Sequence, residues 1–303
     1  MVRCAVVLVV GAFVLAGLPV FAQQPLAERI GRTDPAKYRH YPRRHGGAPA
    51  GMNVMTLVQG KQMQTSLLYM FRGEMPPKGG IGHHLHTRVE EMFVIFDNEA
   101  EFTIDGRTAN LKGPIGAPVR FDHSHAIYNP SDRPTQWMNI GVSEVKGVGG
   151  GRDIGDDRVG VPVDPRPVFV TVALDRQLLR PIQNILGGKG VAQYRRALGP
   201  GDFYSNWAYV DHLLLPPGAS LGKHRHEGLE EIFYVMQGEG LAEAGMESAP
   251  IRKGDAVPIM LNEQHAMVNT GTTDLEFMII GIAMDKKKGP IDTPSSSAPP
   301  GAP

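Results

Sequence analysis

The stretch GKHRHEGLEEIFYVMQG, residues 222–238, repeats the pattern of GHHLHTRVEEMFVIFDN, residues 82–98. A third histidine and an asparagine follow each stretch, and corresponding positions are always 140 residues apart. These positions are His84, His86, Glu91, His125 and Asn129 in the first copy, and His224, His226, Glu231, His265 and Asn269 in the second. Three imidazoles and one carboxylate form a complete ligand set, because neutral nitrogens and one anionic oxygen suit a borderline divalent transition metal. The repeat therefore predicts two copies of one metal-binding domain.

The repeat extends well beyond these ligands. Further pairs at the same spacing are Tyr69 and Tyr209, Pro76-Pro77 and Pro216-Pro217, Gly82 and Gly222, and Gly141 and Gly281. Between them, short apolar runs alternate with Gly, Pro, Asn and Asp, which is typical of a β-sandwich or barrel. Side chains two apart on a strand share a face, so the first two histidines of each copy can converge on one ion. The third histidine would come from a later strand that closure of the barrel brings alongside.

The composition fits two ordinary domains and excludes some classes of partner. The chain has 303 residues, 42% of them hydrophobic, and 31 basic residues balance 31 acidic ones. A neutral chain without a basic stripe is not expected to bind nucleic acid. Arg3, the apolar run from Val6 to Leu18 and the small Val20 and Ala22 predict a signal peptide over residues 1–22, cleaved after Ala22. We therefore expect a periplasmic or secreted protein that does not bind the membrane after cleavage.

Cleavage would also remove Cys4, the only cysteine, which excludes disulfides and thiolate ligands. Composition and pattern predict the rest of the domain organisation. The predicted segments are an irregular arm against the first domain (23–50), the first domain (51–145), an exposed linker rich in Gly and Asp (146–165), the second domain (166–285) and a disordered tail (286–303). At the start of the second domain, Val168 to Leu174 predicts a strand, and Asp175 to Leu186 predicts a helix broken by Pro181.

The two motifs resemble those of the cupin superfamily, in which His-x-His is followed by a Glu and then, after six intervening residues, by a turn glycine. The second copy has Gly238 at that position, and the first has Asn98, which also accepts left-handed backbone angles. The second cupin motif ends in His, three residues and Asn, as both copies do. The resemblance covers roughly residues 52–145 and 200–284. It implies an all-β bicupin, with two cupin-type β-barrels or jelly rolls in tandem and one divalent transition metal (Fe, Mn, Zn or Ni) per domain.

The carboxylate ligand is left open between two neighbours in each copy. Strict strand alternation favours Glu90 and Glu230, which share parity with the histidines. The cupin register, counted back from the turn position, favours Glu91 and Glu231. Under that register Glu91 and Glu231 are metal ligands and candidate catalytic residues, and the neighbouring glutamates become supporting or surface carboxylates.

Three further histidines are candidates for other roles. His123, two residues before His125, is predicted to face the same pocket as a substrate contact or proton carrier. His83 would point away from the ligands on an ideal strand, which predicts a structural or surface role. For His212, a pocket role and a buried structural role both remain open.

A centre of three histidines and one glutamate leaves one or two coordination positions free, so its metal can polarise a substrate, activate water or transfer electrons. The resemblance implies dioxygenase, oxidase or decarboxylase chemistry, and we expect a metal-dependent oxidoreductase acting on a small oxygenated acid or phenolic compound. The alternatives are a lyase or isomerase of a sugar or uronate, and a non-catalytic ligand- or sugar-binding bicupin. An open pocket with convergent polar groups would favour an enzyme, and a closed site would favour the non-catalytic alternative. Exposed edge strands are also compatible with a homo-oligomer.

Overall fold

A computed structural model describes residues 24–288, so the predicted signal peptide with Cys4, and the predicted tail from residue 289 onward, lie outside the described residues. The N-terminal arm contains α1 (Leu26–Arg29), β1 (Gly31–Arg32) and β2 (Arg39–Tyr41). The first barrel contains β3 (Met52–Gln59), β4 (Leu67–Met75), β5 (Gly80–Leu85), β6 (Val89–Ile95), β7 (Glu99–Ile104), β8 (Arg107–Lys112), β9 (Ile115–Val119), β10 (Ser124–Tyr128) and β11 (Thr135–Ser143).

The connecting segment contains β12 (Arg152–Asp153), β13 (Val163–Asp164), β14 (Val172–Ala173) and β15 (Arg180–Gln183). The second barrel contains β16 (Val191–Leu198), β17 (Trp207–Leu215), β18 (Ser220–His224), β19 (Leu229–Gln237), β20 (Glu239–Ala244), β21 (Glu247–Arg252), β22 (Asp255–Ile259), β23 (His265–Val268) and β24 (Leu275–Ala283). Short 3-10 helices span Pro35–Lys37, Arg44–Gly46, Gly60–Gln62, Arg176–Leu178, Ile185–Gly187 and Pro200–Asp202.

Each barrel packs a seven-stranded sheet against a smaller one. In the first barrel the orders are β14-β9-β6-β11-β4-β3-β2 and β12-β5-β10-β7-β8-β13. In the second they are β1-β22-β19-β24-β17-β16-β15 and β18-β23-β20-β21. The nine strands of one barrel match the nine of the other in order, which confirms the expectation of two tandem jelly-roll barrels. Asn98 and Gly238 both adopt left-handed angles in the turn after the equivalent strands β6 and β19, with φ of 50° and 83°.

The large sheets bury both of their faces, because the two barrels pack together through them. Along β6, Phe93 and Ile95 belong to the interior of the first barrel. Met92 and Val94 point the other way, into a cluster shared with Ile232 and other apolar residues of the second barrel. Burial on both sides explains why these strands read as continuous apolar runs rather than as alternating ones.

The arm does not lie against the first barrel alone, as expected, but crosses both. Its first half belongs to the second barrel, since β1 pairs with β22 and Leu26 is buried in the core of that barrel. The salt bridge between Arg29 and Glu263, 2.7 Å long, fixes the same contact. Its second half belongs to the first barrel, where β2 pairs with β3 and the Arg44–Gly46 turn lies against β5.

The connecting segment, which leads into the second barrel, in turn adds short strands to the sheets of the first barrel. The predicted linker is mostly exposed, but it also pairs with the first barrel, because β12 and β13 extend the smaller sheet of that barrel. The strand predicted over Val168 to Leu174 is shortened to β14 and pairs with β9 of the first barrel, not with the second. The predicted helix is absent. Its residues form the short Arg176–Leu178 turn and edge strand β15, where Pro181 is tolerated.

The end of the described chain is anchored on the second barrel. The Lys286 ammonium donates to the carbonyl groups of Phe203 and Pro200, so the first residue of the predicted tail is docked. Between residues 24 and 288, no helix is long and apolar enough to cross a membrane.

Candidate metal centres and the cavity beside them

The first centre is assembled from three neighbouring strands. His84, at the end of β5, lies opposite His125 of β10 in the antiparallel register. His86 follows two residues later, just past the strand end, and Glu91 points from β6 into the barrel. One ligand atom from each of the four residues lies within 4.8 Å of the others. The convergence predicted from spacing is therefore present.

The second centre has the same construction. His224 of β18 lies opposite His265 of β23, and the ligand atoms of His224, His226, Glu231 and His265 also lie within 4.8 Å of one another. His265 Nε2 is 2.8 Å from Glu231 Oε2, and His226 Nε2 is 3.4 Å from the same oxygen. In the first centre, the distance from His125 Nε2 to Glu91 Oε2 is 3.1 Å.

Backbone carbonyls orient the imidazoles. The Nδ1 atoms of His84 and His224 donate to Gly82 and Gly222, each at 2.8 Å, and His86 Nδ1 donates to Gly150 at 2.7 Å. Since Nδ1 carries the proton in each of these rings, the Nε2 lone pair is directed into the cluster. Second partners of this kind are typical of histidines that ligate metals.

A tyrosine supports each glutamate. Tyr209 donates to Glu231 Oε1 at 2.7 Å, and Tyr69 donates to Glu91 Oε1 in the same way. Each tyrosine ring lies against the glycine opposite it, Gly141 or Gly281, where an added Cβ would come within 2.6 Å of the ring. The repeated Tyr and Gly pairs are therefore part of the metal centres.

The pKa values suit ligands. Burial alone would raise the pKa of Glu91, but the contacts with His125 and His86 outweigh it and hold that pKa well below 4.5. Burial, reinforced by the charge of His125, lowers the pKa of His84 to about 2. Burial and the charge of His265 likewise lower the pKa of His224 to about 4. At neutral pH these groups are a carboxylate and neutral imidazoles, the forms that bind metals.

A cation fits both clusters. The buried Nε2 atoms of His86 and His265 and the buried Oε2 atoms of Glu91 and Glu231 make close contacts within the clusters, but none of them has the geometry of a hydrogen bond among the described residues. His125 Nε2 lies 3.0 Å from His84 Nε2. Unpaired acceptors converging in a buried space are costly unless a positive charge binds them. Four ligands in this arrangement would hold one divalent transition metal per barrel.

The two centres differ in access. Beside the first lies a cavity of about 730 Å³, and His84, His86 and Glu91 form part of its wall. Rings of Phe71, Phe93 and Trp137 line it, as do the basic side chains Lys37, Arg39 and Arg44. The space beside the second centre is about 20 Å³, room for roughly one water molecule.

Three side chains close the second barrel, and we call them the Arg196 network: Tyr194, Arg196 and Asp211. Arg196 donates to both oxygens of Asp211 at 2.9 and 3.1 Å, and Tyr194 donates to the same carboxylate at 2.8 Å. The Arg196 guanidinium also lies over the Tyr209 ring, 4.1 Å from its centre. The residues of the first barrel at the 140-residue offset are Val54, Thr56 and Phe71. They leave the cavity open.

Comparison with known proteins supports the cupin resemblance. The family model described as the cupin domain matches residues 211–281. The oxalate-binding protein of Thermotoga maritima is 37% identical over 103 residues, which cover 34% of this chain and 85% of that protein. The chain belongs to the cupin family. We refer to the first and second barrels from here on as cupin domains 1 and 2.

Two solved structures share the two-domain fold at low sequence identity. Salicylate 1,2-dioxygenase from Pseudaminobacter salicylatoxidans has a TM-score of 0.61 at 15% identity, over 77% of this chain and 78% of that one. Oxalate decarboxylase from Bacillus subtilis has a TM-score of 0.59 at 13% identity, over 84% and 76%. Both likenesses establish the bicupin fold and nothing finer.

The open question about the glutamates is decided by strand β6 and its counterpart β19. Glu91 and Glu231 face the barrel interiors and lie in the clusters. Their neighbours are buried in the domain interface, not at the surface. Glu90 accepts hydrogen bonds from the backbone of Tyr204 and Ser205, each at 2.7 Å. Glu90 is an even number of residues from His84 and His86 but does not share their face, because a bend between β5 and β6 interrupts the alternation of side chains along the strand.

His123 is not brought to the cavity. It lies before β10, its exposed ring donating from Nδ1 to Asp105 at 2.6 Å. The expectation extended strand alternation from His125, but β10 begins only at Ser124. His83 points away from the ligands, as predicted, and its ring bonds to Ser124 and Asp156. His212 is fully buried and bonds to Glu276 at 2.7 Å, which is a structural role.

One histidine of the cavity wall, His45, was not predicted from the sequence. His45 stacks on His84 with ring centres 3.9 Å apart, and its Nδ1 donates to Asp153 at 2.6 Å. Burial lowers the pKa of His45, and the nearby Arg44 charge lowers it further against the effect of Asp153. A signal was available, since Gly46-Gly47 repeats as Gly187-Gly188. That spacing is 141 residues, one outside the register followed through the ligands.

Proposed function

We propose that this bicupin is a metal-dependent oxidoreductase of the dioxygenase, oxidase or decarboxylase type, with its active centre in cupin domain 1. One observation carries the proposal: of two equivalent ligand sets, only that of domain 1 opens into a cavity large enough for an organic substrate. A redox-active ion held by His84, His86, Glu91 and His125 would supply Lewis acidity and electron transfer.

The cavity favours a small acid or phenolic compound with an apolar body. A volume of about 730 Å³ is well within the range of small-molecule sites. Its aromatic rings can hold a flat apolar group. The names of the similar proteins, which refer to oxalate and salicylate, support an organic acid as the class of substrate.

The protein itself would position the substrate and keep bulk water away from the ligands. Gly149, Gly150 and Gly151 of the connecting segment form part of the cavity wall, and the Gly150 carbonyl orients His86. Tyr69 holds Glu91 in its ligating position. In domain 2 the closed pocket fits a metal that stabilises the fold, which is the non-catalytic alternative applied to one domain only.

The test compares His86→Ala with His226→Ala, using His40→Ala as a control because His40 is exposed and outside the cavity wall. Purified protein is assayed for metal content, and for oxygen uptake and CO2 release on a panel of organic acids and phenols. We expect each ligand variant to lose one metal site. Only His86→Ala should lose turnover, by more than about 100-fold.

Three results would contradict this proposal. Fewer than about 0.2 metal ions per wild-type chain would remove the basis for any metal enzyme. Loss of turnover in His226→Ala alone would move the active centre to domain 2. Product formed with neither oxygen consumption nor release of CO2 would replace the oxidoreductase by the lyase or isomerase alternative.

We also propose that the protein is exported, on the basis of the charge and apolar run in residues 1–22. Mass spectrometry of the N-terminus of protein from the extracytoplasmic fraction tests this. Gln23 should be the first residue, and an intact Met1 would contradict cleavage.

A further inference from the structure

A short 3-10 turn lies against each domain, and the two turns are equivalent in backbone but carry different side chains. The 3-10 helix Arg44–Gly46 matches Ile185–Gly187 at an offset of 141 residues. The backbone is the same in both, since φ is 52° at His45 and 50° at Leu186, and 69° and 80° at the glycines that follow. Each turn lies close against the histidine strand of its domain, where an added Cβ on Gly82 or Gly222 would meet backbone within 2.2 Å.

The two turns share a backbone conformation but carry side chains of different chemistry. In domain 2 the turn places Ile185 in the buried core, with Leu186 packed beside it. In domain 1 the same two positions are Arg44 and His45, and both line the open cavity. The turn beside the closed pocket of domain 2 thus carries apolar residues, and the turn beside the open cavity of domain 1 carries a permanent cation.

Arg44 makes no ion pair and no side-chain hydrogen bond among residues 24–288. Its side chain is exposed at the cavity wall. The two acidic residues of the cavity wall are engaged elsewhere, Glu91 with the ligand histidines and Asp153 with His45. The guanidinium therefore has donors free for an anion entering the cavity.

We propose that Arg44 binds the carboxylate of an organic-acid substrate whose apolar or aromatic body lies toward Phe71 and Trp137 in cupin domain 1. Arg44 is thereby a specificity-determining residue supplied by the N-terminal arm. This assignment rests on the proposed function for the choice of domain 1 as the active centre. The planar guanidinium suits a carboxylate because it can donate two parallel hydrogen bonds.

The experiment measures binding of benzoate and of its neutral isostere benzamide to the metal-loaded protein by titration calorimetry. Arg44→Ile copies the residue that domain 2 carries on the same backbone, so the fold should tolerate it. Arg43→Asn is the matched control, because it also copies domain 2 (Asn184) and removes one positive charge outside the cavity wall. Arg44→Lys tests whether charge without the planar fork suffices.

We expect Arg44→Ile to weaken benzoate binding by about 10- to 100-fold and benzamide binding by less than about 2-fold. Arg43→Asn should change neither, and Arg44→Lys should recover part of the benzoate affinity. Equal weakening of both ligands, unchanged benzoate binding, or no benzoate binding to the wild-type protein would overturn the proposal. Binding is measured without turnover, so an inactive protein that discriminates benzoate through Arg44 would refute only the oxidoreductase.

Discussion

At the scale of the residue, one step in register separates two unrelated roles. Glu231 faces the interior of domain 2 and belongs to a metal centre, whereas Glu230 faces domain 1. There Glu230 accepts hydrogen bonds from the backbone of Gln64 and Thr65, at 2.9 and 2.7 Å. Glu90 makes the equivalent bonds in the opposite direction, so the two domains hold each other through a symmetric pair of carboxylates.

Replacing the two neighbours in domain 2 separates these roles. Glu231→Ala should lose the metal of domain 2, because one of its four ligands is gone. Glu230→Ala should keep both metals but lower the free energy of unfolding by about 2–4 kcal/mol, because the N–H groups of Gln64 and Thr65 and the buried Thr65 hydroxyl lose their acceptor. Metal analysis and urea denaturation provide the measurements. Loss of metal in Glu230→Ala would mean that the register is wrong.

At the scale of the element, polar contacts join strands that otherwise pack through apolar side chains. His212 of β17 bonds to Glu276 of the adjacent strand β24, and Arg176 of the connecting segment bonds to the same carboxylate at 2.6 Å. Burial would raise the pKa of Glu276, but the contacts with His212 and Arg176 outweigh it and lower that pKa below 4.5. The folded protein therefore holds the ionised form more strongly than the unfolded chain does.

This shift predicts an acid-sensitive contribution to stability. A depressed carboxylate pKa stabilises the fold above pH 4.5, and the contribution is lost as pH falls through the folded value. Glu276→Gln should cost about 2–3 kcal/mol at pH 7, and its stability should fall less than that of the wild type on acidification to pH ~3. Denaturation curves across this range measure both effects. The exposed Glu144→Gln is the control, and equal pH slopes in wild type and Glu276→Gln would contradict the assignment.

At the scale of the whole molecule, the duplication has kept the ligands and changed the space beside them. Both domains retain three histidines, a glutamate and its supporting tyrosine. In domain 2 the Arg196 network fills the volume that remains open in domain 1. The two 3-10 turns differ in the same way, since Arg44 and His45 line the cavity of domain 1 whereas Ile185 and Leu186 pack in the core of domain 2. One domain therefore has the features of a substrate site and the other those of a structural site.

Copying the Arg196 network into domain 1 should close the cavity beside its metal ligands. The triple variant Val54→Tyr, Thr56→Arg, Phe71→Asp should keep both metals but lose benzoate binding and lower turnover by more than about 100-fold, because the substrate space is filled. Asn98→Gly also copies domain 2, outside the cavity wall, and should retain turnover. Metal analysis, calorimetry and oxygen uptake give the comparison. Undiminished turnover in a folded triple variant would place the substrate elsewhere.

Much of the fold could be predicted because both copies keep the residues that the local backbone geometry requires. The His-x-His spacing, the turn at Asn98 or Gly238 and the Tyr–Gly pairs all depend on strand alternation, backbone angles or close approach, which act over a few residues or one strand pair. The exchange of strands between domains could not be predicted. The two-residue strands β1 and β14 carry almost no pattern, and their partners are chosen by which edge lies nearest in the folded protein.

By itself the sequence determined the two-domain architecture and the composition of both candidate metal centres, since repeated residue types at a constant offset indicate a duplicated domain. Tertiary structure alone decided which glutamate of each pair lies among the three histidines, that His123 lies outside the cavity and that Arg44 and His45 lie at its wall. It also decided that only one centre is open. Access depends on the combined volume of side chains from several distant segments, and that sum exists only once the chain has folded.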